Sequence, residues 1–357
     1  MKAAITADVH LTNLNHPERC HALEDILDKL KKENINTIII AGDLFNEKVN
    51  NYSEFEHIAA DNKYKHIMFH VIPGNHDFDV KQKSITSKNV KIYSESTIKK
   101  LDHDDSGLWF FFLPYQKDKV MGEVIASTKS QLPPDKWILI GHGDWESGIK
   151  TSNPLEPGVY MPLSQKDINE FKPARVFLGH IHKPMDDGRV CYPGSPCGLD
   201  ITEIGKRRFL VFDTDNGTVE EHQVDTKVIY FSGEILVLPV EDENTYVKEK
   251  INEMIKGWNI KQEEKDKVRL RIKVKGYSTN KSDLKEVVTQ QYEDYQFYKE
   301  EEVDVFEVND ASDNYELEEI VKKTAGKIKK ITGKGKFHQL THDDILFHAL
   351  KLIYGEK

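Results

Sequence analysis

Histidine, aspartate and asparagine recur in five short motifs between positions 8 and 182: Asp8-Val9-His10, Gly42-Asp43, Gly74-Asn75-His76-Asp77, Gly141-His142 and Gly179-His180-Ile181-His182. They offer imidazole nitrogens, carboxylate oxygens and an amide oxygen, but no thiolate. A mixed nitrogen and oxygen set suits manganese, iron or zinc better than a soft metal, and a set this large suits two ions rather than one. Asp43 could bridge them, one ion per carboxylate oxygen, at the ~3.5–4 Å separation of two-metal phosphoryl-transfer sites. Glycine directly before a ligand residue lets the backbone turn sharply and approach a small ion. Taken singly, a D-x-H or H-x-H triplet arises often by chance. Five such motifs in order, each at the end of a strand-like run, do not. The other ten histidines, among them His16, His70, His103 and His338, read as ordinary surface or core residues. So does Asp144, beside His142.

The elements that must position these groups are legible as strand-like runs at 2–7, 36–41, 67–72, 109–115, 137–141 and 174–178. Between them lie stretches of helical periodicity, the first following Pro17 with Leu23, Ile26, Leu27 and Leu30 on one face. This alternation predicts a layered α/β domain, in which loops after the C-terminal ends of strands share one rim. From 189 to about 231 the pattern predicts an antiparallel meander of Arg189–Tyr192, Arg208–Asp213 and Val219–Val224. A second unit then reads strand 235–240, helix about 245–258, strand 268–274, helix about 282–292 and strand 303–308. In its middle strand Val268, Leu270, Ile272 and Val274 alternate with Arg269, Arg271 and Lys273, the period of a half-buried sheet. The domain boundaries so drawn are 1–232, 233–309 and a lysine-rich linker with a final helix at 310–357. Thr341 and Asp344 form a capping box that opens this helix. Its stripe of Ile345, Leu346, Ala349, Leu350, Leu352 and Ile353 is expected to dock on a partner, with packing on its own domain as the alternative.

Composition bounds the rest. A length of 357 residues suits two folded units, and 50 Lys and Arg against 60 Asp and Glu give a net charge of -10. That balance argues against coating nucleic acid through overall charge, although seven lysines in 322–336 could make a regional contact. No apolar run approaches the ~20 residues of a membrane helix, and the N-terminus enters a strand directly, without a signal-peptide pattern. The cysteines Cys20, Cys191 and Cys197 are odd in number and lack paired spacing, which favours a reducing cytoplasm.

The motif series resembles the signature of the calcineurin-like metallophosphoesterase superfamily. Gly42-Asp43-Leu44-Phe45, Gly179-His180-Ile181-His182-Lys183-Pro184 and Tyr192-Pro193-Gly194-Ser195-Pro196 are similar to the versions in its SbcD-type DNA repair nucleases. The resemblance covers residues 1–200 and implies an α-β-β-α sandwich with a smaller α+β capping domain and a C-terminal helical tail. It implies that Asp8, His10, Asp43 and His182 hold one divalent ion and Asp43, Asn75, His142 and His180 the other, with Mn(II) expected. His76 would be catalytic, with Asp77 orienting its ring. The implied activity is manganese-dependent DNA cleavage, exonucleolytic from the 3′ end or endonucleolytic, in a homodimer bound to an SbcC-like coiled-coil ATPase, with DNA as substrate and no membrane partner. The pattern departs at Asn46, where relatives often carry histidine or aspartate; an amide cannot move a proton as they can. Two other readings use the same residues. A small-substrate phosphodiesterase or phosphatase would leave the second unit and the tail without purpose. A non-catalytic scaffold would not retain eight clustered polar groups that are costly to bury without metal.

Overall fold

In the strand Lys2–Thr6, Ala3 and Ile5 face one side and Ala4 the other, and all three are fully buried. Side chains alternate along a strand, so burial of both faces demands a layer on each. The computed structural model describes residues 1–14, 16–47, 52–101, 107–133, 136–146, 158–311, 315–330 and 341–355. Contacts divide it into two units, Met1–Leu199 with Lys206–Val228, and Asp200–Gly205 with Ile229–Lys357. His103, His338, Lys334 and Lys336 lie outside the described residues.

In the first unit one sheet runs from the hairpin Val219–Val224/Arg207–Asp213 through Lys2–Thr6, Thr37–Ala41 and Met68–Ile72 to Val90–Ile92. Ile38 and Ile40 pack on Leu23, Ile26, Leu27 and Leu30 of the helix Pro17–Glu33. Ile39 and Ala41 point the other way and meet Phe110, Phe112, Ile138 and Ile140 of a second sheet. That sheet runs Met185–Asp186, Val190–Tyr192, Arg175–Gly179, Trp137–His142, Trp109–Leu113, Thr97–Lys100. Its outer face, with Phe111, Leu139 and Leu178, packs on Met121, Ile125 and Ile168 of the helices Met121–Thr128 and Gln165–Phe171. The layers are helix, sheet, sheet, helix, the expected metallophosphoesterase sandwich.

The expected meander is corrected. Val190–Tyr192 pairs parallel with Arg175–Gly179 in the second sheet, whereas Arg207–Asp213 pairs antiparallel with Lys2–Thr6 in the first. The irregular stretch after Tyr192, with Gly194 at φ +78, carries the chain from one sheet to the other.

The second unit is a parallel sheet of Ile229–Val237, Val268–Ser278, Gln296–Phe297 and Asp304–Asp310. One face, with Val268, Leu270, Ile272 and Val274, packs on Val247 and Ile251 of the helix Glu243–Gly257 and on Leu284 and Val288 of Lys281–Gln290. The other face corrects the expectation for the tail. Tyr315–Ile328, within the expected linker, is an α-helix. With the capped helix His342–Ile353 it covers Leu236, Leu238 and Tyr277. The sheet covers Leu346 and Leu350 of the final stripe, the packing on its own domain given above as the alternative, and leaves Leu352 exposed. Lys275 Nζ donates to Asp344 Oδ1 at 2.9 Å, pairs with Glu234 and lies over the Phe347 ring, which fixes the helix in register. Lys322 and Lys323 lie 3.6 and 3.9 Å from Glu319 carboxylate oxygens. No helix among the described residues is long and apolar enough to cross a membrane.

Two outcomes follow from this packing. Leu350 is fully buried and Leu352 is 79% exposed. Leu350→Ala should therefore cost about 2–5 kcal/mol in the second unit, and Leu352→Ala within about 0.5 kcal/mol of nothing. Hydrogen exchange across 268–278 measures this, and equal protection in the two variants would contradict the packing. His70, in Met68–Ile72, meets the Tyr93 hydroxyl through Nδ1 at 2.8 Å and stacks on Tyr93 and Phe112. Burial, with Lys99 and Lys91 nearby, pulls its pKa down from 6.5 to about 4. The unfolded chain thus takes this proton first, so the contribution is complete above pH 6.5 and lost as pH falls towards 4, on the order of 3 kcal/mol in all. In melting experiments across that window, His70→Phe should lose less stability than the parent; parallel slopes would refute the assignment.

Candidate metal centre

The site begins where parallel strands end. Asp8 and His10 follow Lys2–Thr6, Asp43 follows Thr37–Ala41, and Asn75 and His76 follow Met68–Ile72. His142 closes Trp137–His142, and His180 follows Arg175–Gly179. Backbone bonds zip the first loops together: Asp8 N–H to the Gly42 carbonyl at 3.1 Å and His10 N–H to the Asp43 carbonyl at 3.0 Å. The second sheet is joined to them by His180 N–H, which donates to Asp8 Oδ1 at 2.9 Å, and by His142 Nδ1, 2.9 Å from the Ala41 carbonyl. Asp8, His10, Asp43 and His180 have φ of 55°, 51°, 51° and 97°, a left-handed region that L-residues enter at a cost. Strain of this kind concentrates at functional sites, where the surrounding contacts over-determine it. Gly42 and Gly179 permit the close approach. A Cβ on the first would lie 2.0 Å from His142 Nδ1, and on the second 2.0 Å from the Ala41 carbonyl oxygen.

The side chains converge. His10 Nε2 is 3.2 Å from His182 Nε2 and 3.7 Å from Asp43 Oδ2. His142 Nε2 is 3.3 Å from Asp43 Oδ2 and 2.8 Å from Asn75 Oδ1, and His180 Nδ1 is 3.2 Å from that same amide oxygen. Ligand atoms of Asp8, His10 and His182, of His10, Asp43 and His76, and of Asp8, Asp43 and His142 each lie within 4.8 Å of one another. Asp8, His10 and Asp43 each belong to two of these groups, so the three groups form one continuous cluster. The seven residues expected to hold metal are thus brought to one place, with His76 beside them.

The donor set fits cations. Asp8 Oδ2 and His10 Nδ1 are buried and make no hydrogen bond among the described residues, which is costly unless another charge faces them. Two imidazole nitrogens cannot face one another at 3.2 Å with both lone pairs inward unless a proton or metal ion lies between. Burial draws the His142 imidazole down, but the Asp43 carboxylate, its hydrogen bond and Asp8 outweigh it and push the ring up to about 10. Burial likewise disfavours the Asp43 anion, yet His142, His10 and His76 hold it well below the ordinary carboxylate range. Burial lowers His10 to about 3 despite Asp43, and raises Asp8 to about 6 against His182 and His142. Metal binding at such a site would displace protons.

Asp77 holds the loop that carries His76. Its Oδ1 accepts the Gly74 amide at 2.6 Å and its Oδ2 the Phe45 amide at 3.1 Å, tying the His76 loop to the Asp43 loop. Burial and the Asp43 anion raise it to about 7. Asp144, read from sequence as ordinary, accepts the Tyr160 amide at 2.7 Å and brings Oδ1 within 3.7 Å of His180 Nε2. Its place two residues after His142 was the available signal. Arg19 and Arg207 donate to the His10 and His182 carbonyls at 2.7 and 3.0 Å, contacts with no local motif to announce them. Asn46 is half-buried and its backbone N–H donates to the Leu11 carbonyl at 2.8 Å.

A sequence profile described as calcineurin-like phosphoesterase matches residues 1–200. The chain is similar to the SbcD component of the SbcCD nuclease of Staphylococcus saprophyticus, at 24% identity over 259 residues, covering 58% of this chain and 67% of that protein. Among solved structures, a novel archaeal phosphodiesterase aligns over 63% of this chain and 100% of its own at 17% identity and a TM-score of 0.34. GAP50, the anchor in the inner membrane complex of Plasmodium, aligns over 63% and 89% at 14% identity and a TM-score of 0.40. Overlaps this partial add no weight to the geometry.

Gly42 has φ +92 as well as its crowded Cβ position, whereas Gly217, at φ +73, has nothing within 4 Å of its Cβ. Gly42→Ala should push His142 aside and weaken divalent-metal binding roughly tenfold or more, as loss of supporting contacts commonly does. Gly217→Ala should leave binding unchanged. Titration calorimetry compares them, and equal affinities would mean that the Gly42 contact does not shape the site.

Proposed function

The chain belongs to the calcineurin-like phosphoesterase family, and from that membership we propose that it is a two-metal DNA nuclease. The observation that carries the reading is the convergence on one rim of three overlapping sets of ligand atoms that share buried Asp8, His10 and Asp43. The similarity to the SbcD component of an SbcCD nuclease supports DNA as the substrate. Asp8, His10, Asp43 and His182 would hold one ion and Asp43, Asn75, His142 and His180 the other, Mn(II) in this reading. When bound, two such ions neutralise phosphoryl oxygens and make hydroxide available near neutral pH.

The chain's own residues do the rest. Asp43 keeps its carboxylate ionised through the imidazoles around it, and His142 is held in one orientation by the Ala41 carbonyl. The His76 backbone amide donates to Asp43 Oδ1 at 2.9 Å, and the His76 ring lies 4.8 Å from the His10 ring, centroid to centroid. From there it would stabilise or protonate the leaving 3′ oxygen, as an imidazole can near neutral pH. Asp77 would act as a positioning residue by holding the His76 loop. The proposal extends to a homodimer assembled with an SbcC-like coiled-coil ATPase in the cytoplasm, in keeping with three buried cysteines that form no disulfide. Cleavage of linear DNA in the presence of Mn(II), compared with a chromogenic phosphodiester, tests the substrate. Hydrolysis of the small ester alone would favour a small-substrate phosphodiesterase.

His76 lies within reach of His10 and Asp43, so its role separates cleanly from theirs only by experiment. Asp43→Ala should lose bound metal. His76→Ala should retain it while cleavage falls on the order of 10²–10⁴-fold. Equal metal loss in both, measured by elemental analysis, would make His76 a ligand instead.

A further inference from the structure

Beside the metal centre lies a cavity of about 410 Å³ lined by Phe78, Tyr115, Tyr160 and Lys117 together with His76 and Asn75. Its size falls within the ~300–1,000 Å³ of small-ligand sites. Phe78 follows Asp77 directly, so its place next to His76 is set by the chain itself. It is 65% exposed. A single exposed phenylalanine needs no explanation. Here, however, it shares a cavity with two tyrosines whose ring centroids are 6.2 Å apart, and Tyr160 lies 4.5 Å from the His180 ring.

Aromatic rings around a cavity next to phosphate chemistry suit one kind of ligand. A flat heterocycle stacks on such rings whatever its identity, and a compact lysine cation can meet an adjacent phosphate. Glu47 also lines the cavity; its carboxylate can accept from the amino group of a base. Because the cavity borders His76 and Asn75, whatever occupies it is attached close to the reacting phosphodiester. A base that stacks on these rings gives up a neighbour in its own strand, so it must leave its duplex stack to enter. We infer that this cavity is a nucleobase pocket that receives one unstacked base of the strand being cut, which directs the chain to single-stranded or frayed DNA. The inference rests on the nuclease reading for its cleavage, but the pocket itself can be judged without metal.

The test uses the metal-free full chain and a short single-stranded oligonucleotide carrying 2-aminopurine, whose fluorescence falls on stacking. The parent should quench the probe. Phe78→Ala should bind roughly tenfold more weakly with little quenching, as loss of one base-stacking ring commonly does. Phe78→Trp should restore both. An oligonucleotide with an abasic site at the probe position should bind the parent as weakly as the intact strand binds Phe78→Ala, with no further loss when the two changes are combined. Parent-like affinity in Phe78→Ala, or equal quenching of a probe inside a blunt duplex, would overturn the pocket. Absence of Mn(II)-dependent DNA cleavage by the parent would instead refute the nuclease reading, and leaves the binding result to decide the pocket.

Discussion

Asp8 and Asp43 are anionic groups buried where two sheets meet, and an uncompensated charge in such surroundings costs several kcal/mol. Much of the first unit can be understood as the arrangement that makes this burial tolerable. Imidazoles from His10, His142 and His182 face the carboxylates, the His180 amide donates to Asp8, and the His76 amide donates to Asp43. The Asp43 carboxylate in turn holds the His142 ring towards its protonated form, so the two groups offset each other.

Neither sheet could hold the site alone. The first contributes Asp8, His10, Asp43, Asn75 and His76, the second His142 and His180, and the bonds between them cross from one layer to the other. The shared layer of Ile39, Ala41, Phe110, Phe112, Ile138 and Ile140 fixes the spacing of the two rims. Packed interiors transmit displacement rather than absorb it, so the positive-φ residues on the rim are held against their own preference by a rigid base.

The second unit shows the same logic without chemistry. A parallel sheet with apolar groups on both faces needs helices on both, and the chain supplies one pair from between its strands and another from its C-terminal part. Lys275, nearly buried, is tolerated because Glu234 and Asp344 flank its ammonium and Phe347 lies beneath it. Ion pairing of this kind contributes little net energy but selects one register of helix on sheet.

Local sequence determined the strands that carry the motifs, because runs such as Thr37–Ala41 and Trp137–His142 combine β-branched or aromatic residues with a sharp glycine or polar stop. It also determined the candidate ligands and the capping box at Thr341, since each depends on residue types a few positions apart. The tertiary structure alone decided what depends on distant partners. Val190–Tyr192 joined the second sheet and not the hairpin that follows it, because pairing is settled by which edge is open and not by the strand's own residues. The final helix covered Leu236, Leu238 and Tyr277, because an apolar stripe specifies only that it must be buried and leaves its partner unnamed. Asp77 and Asp144 acquired their roles the same way: a carboxylate's function is set by the amides and rings that reach it, and here those come from positions as far apart as Phe45, Tyr160 and His180.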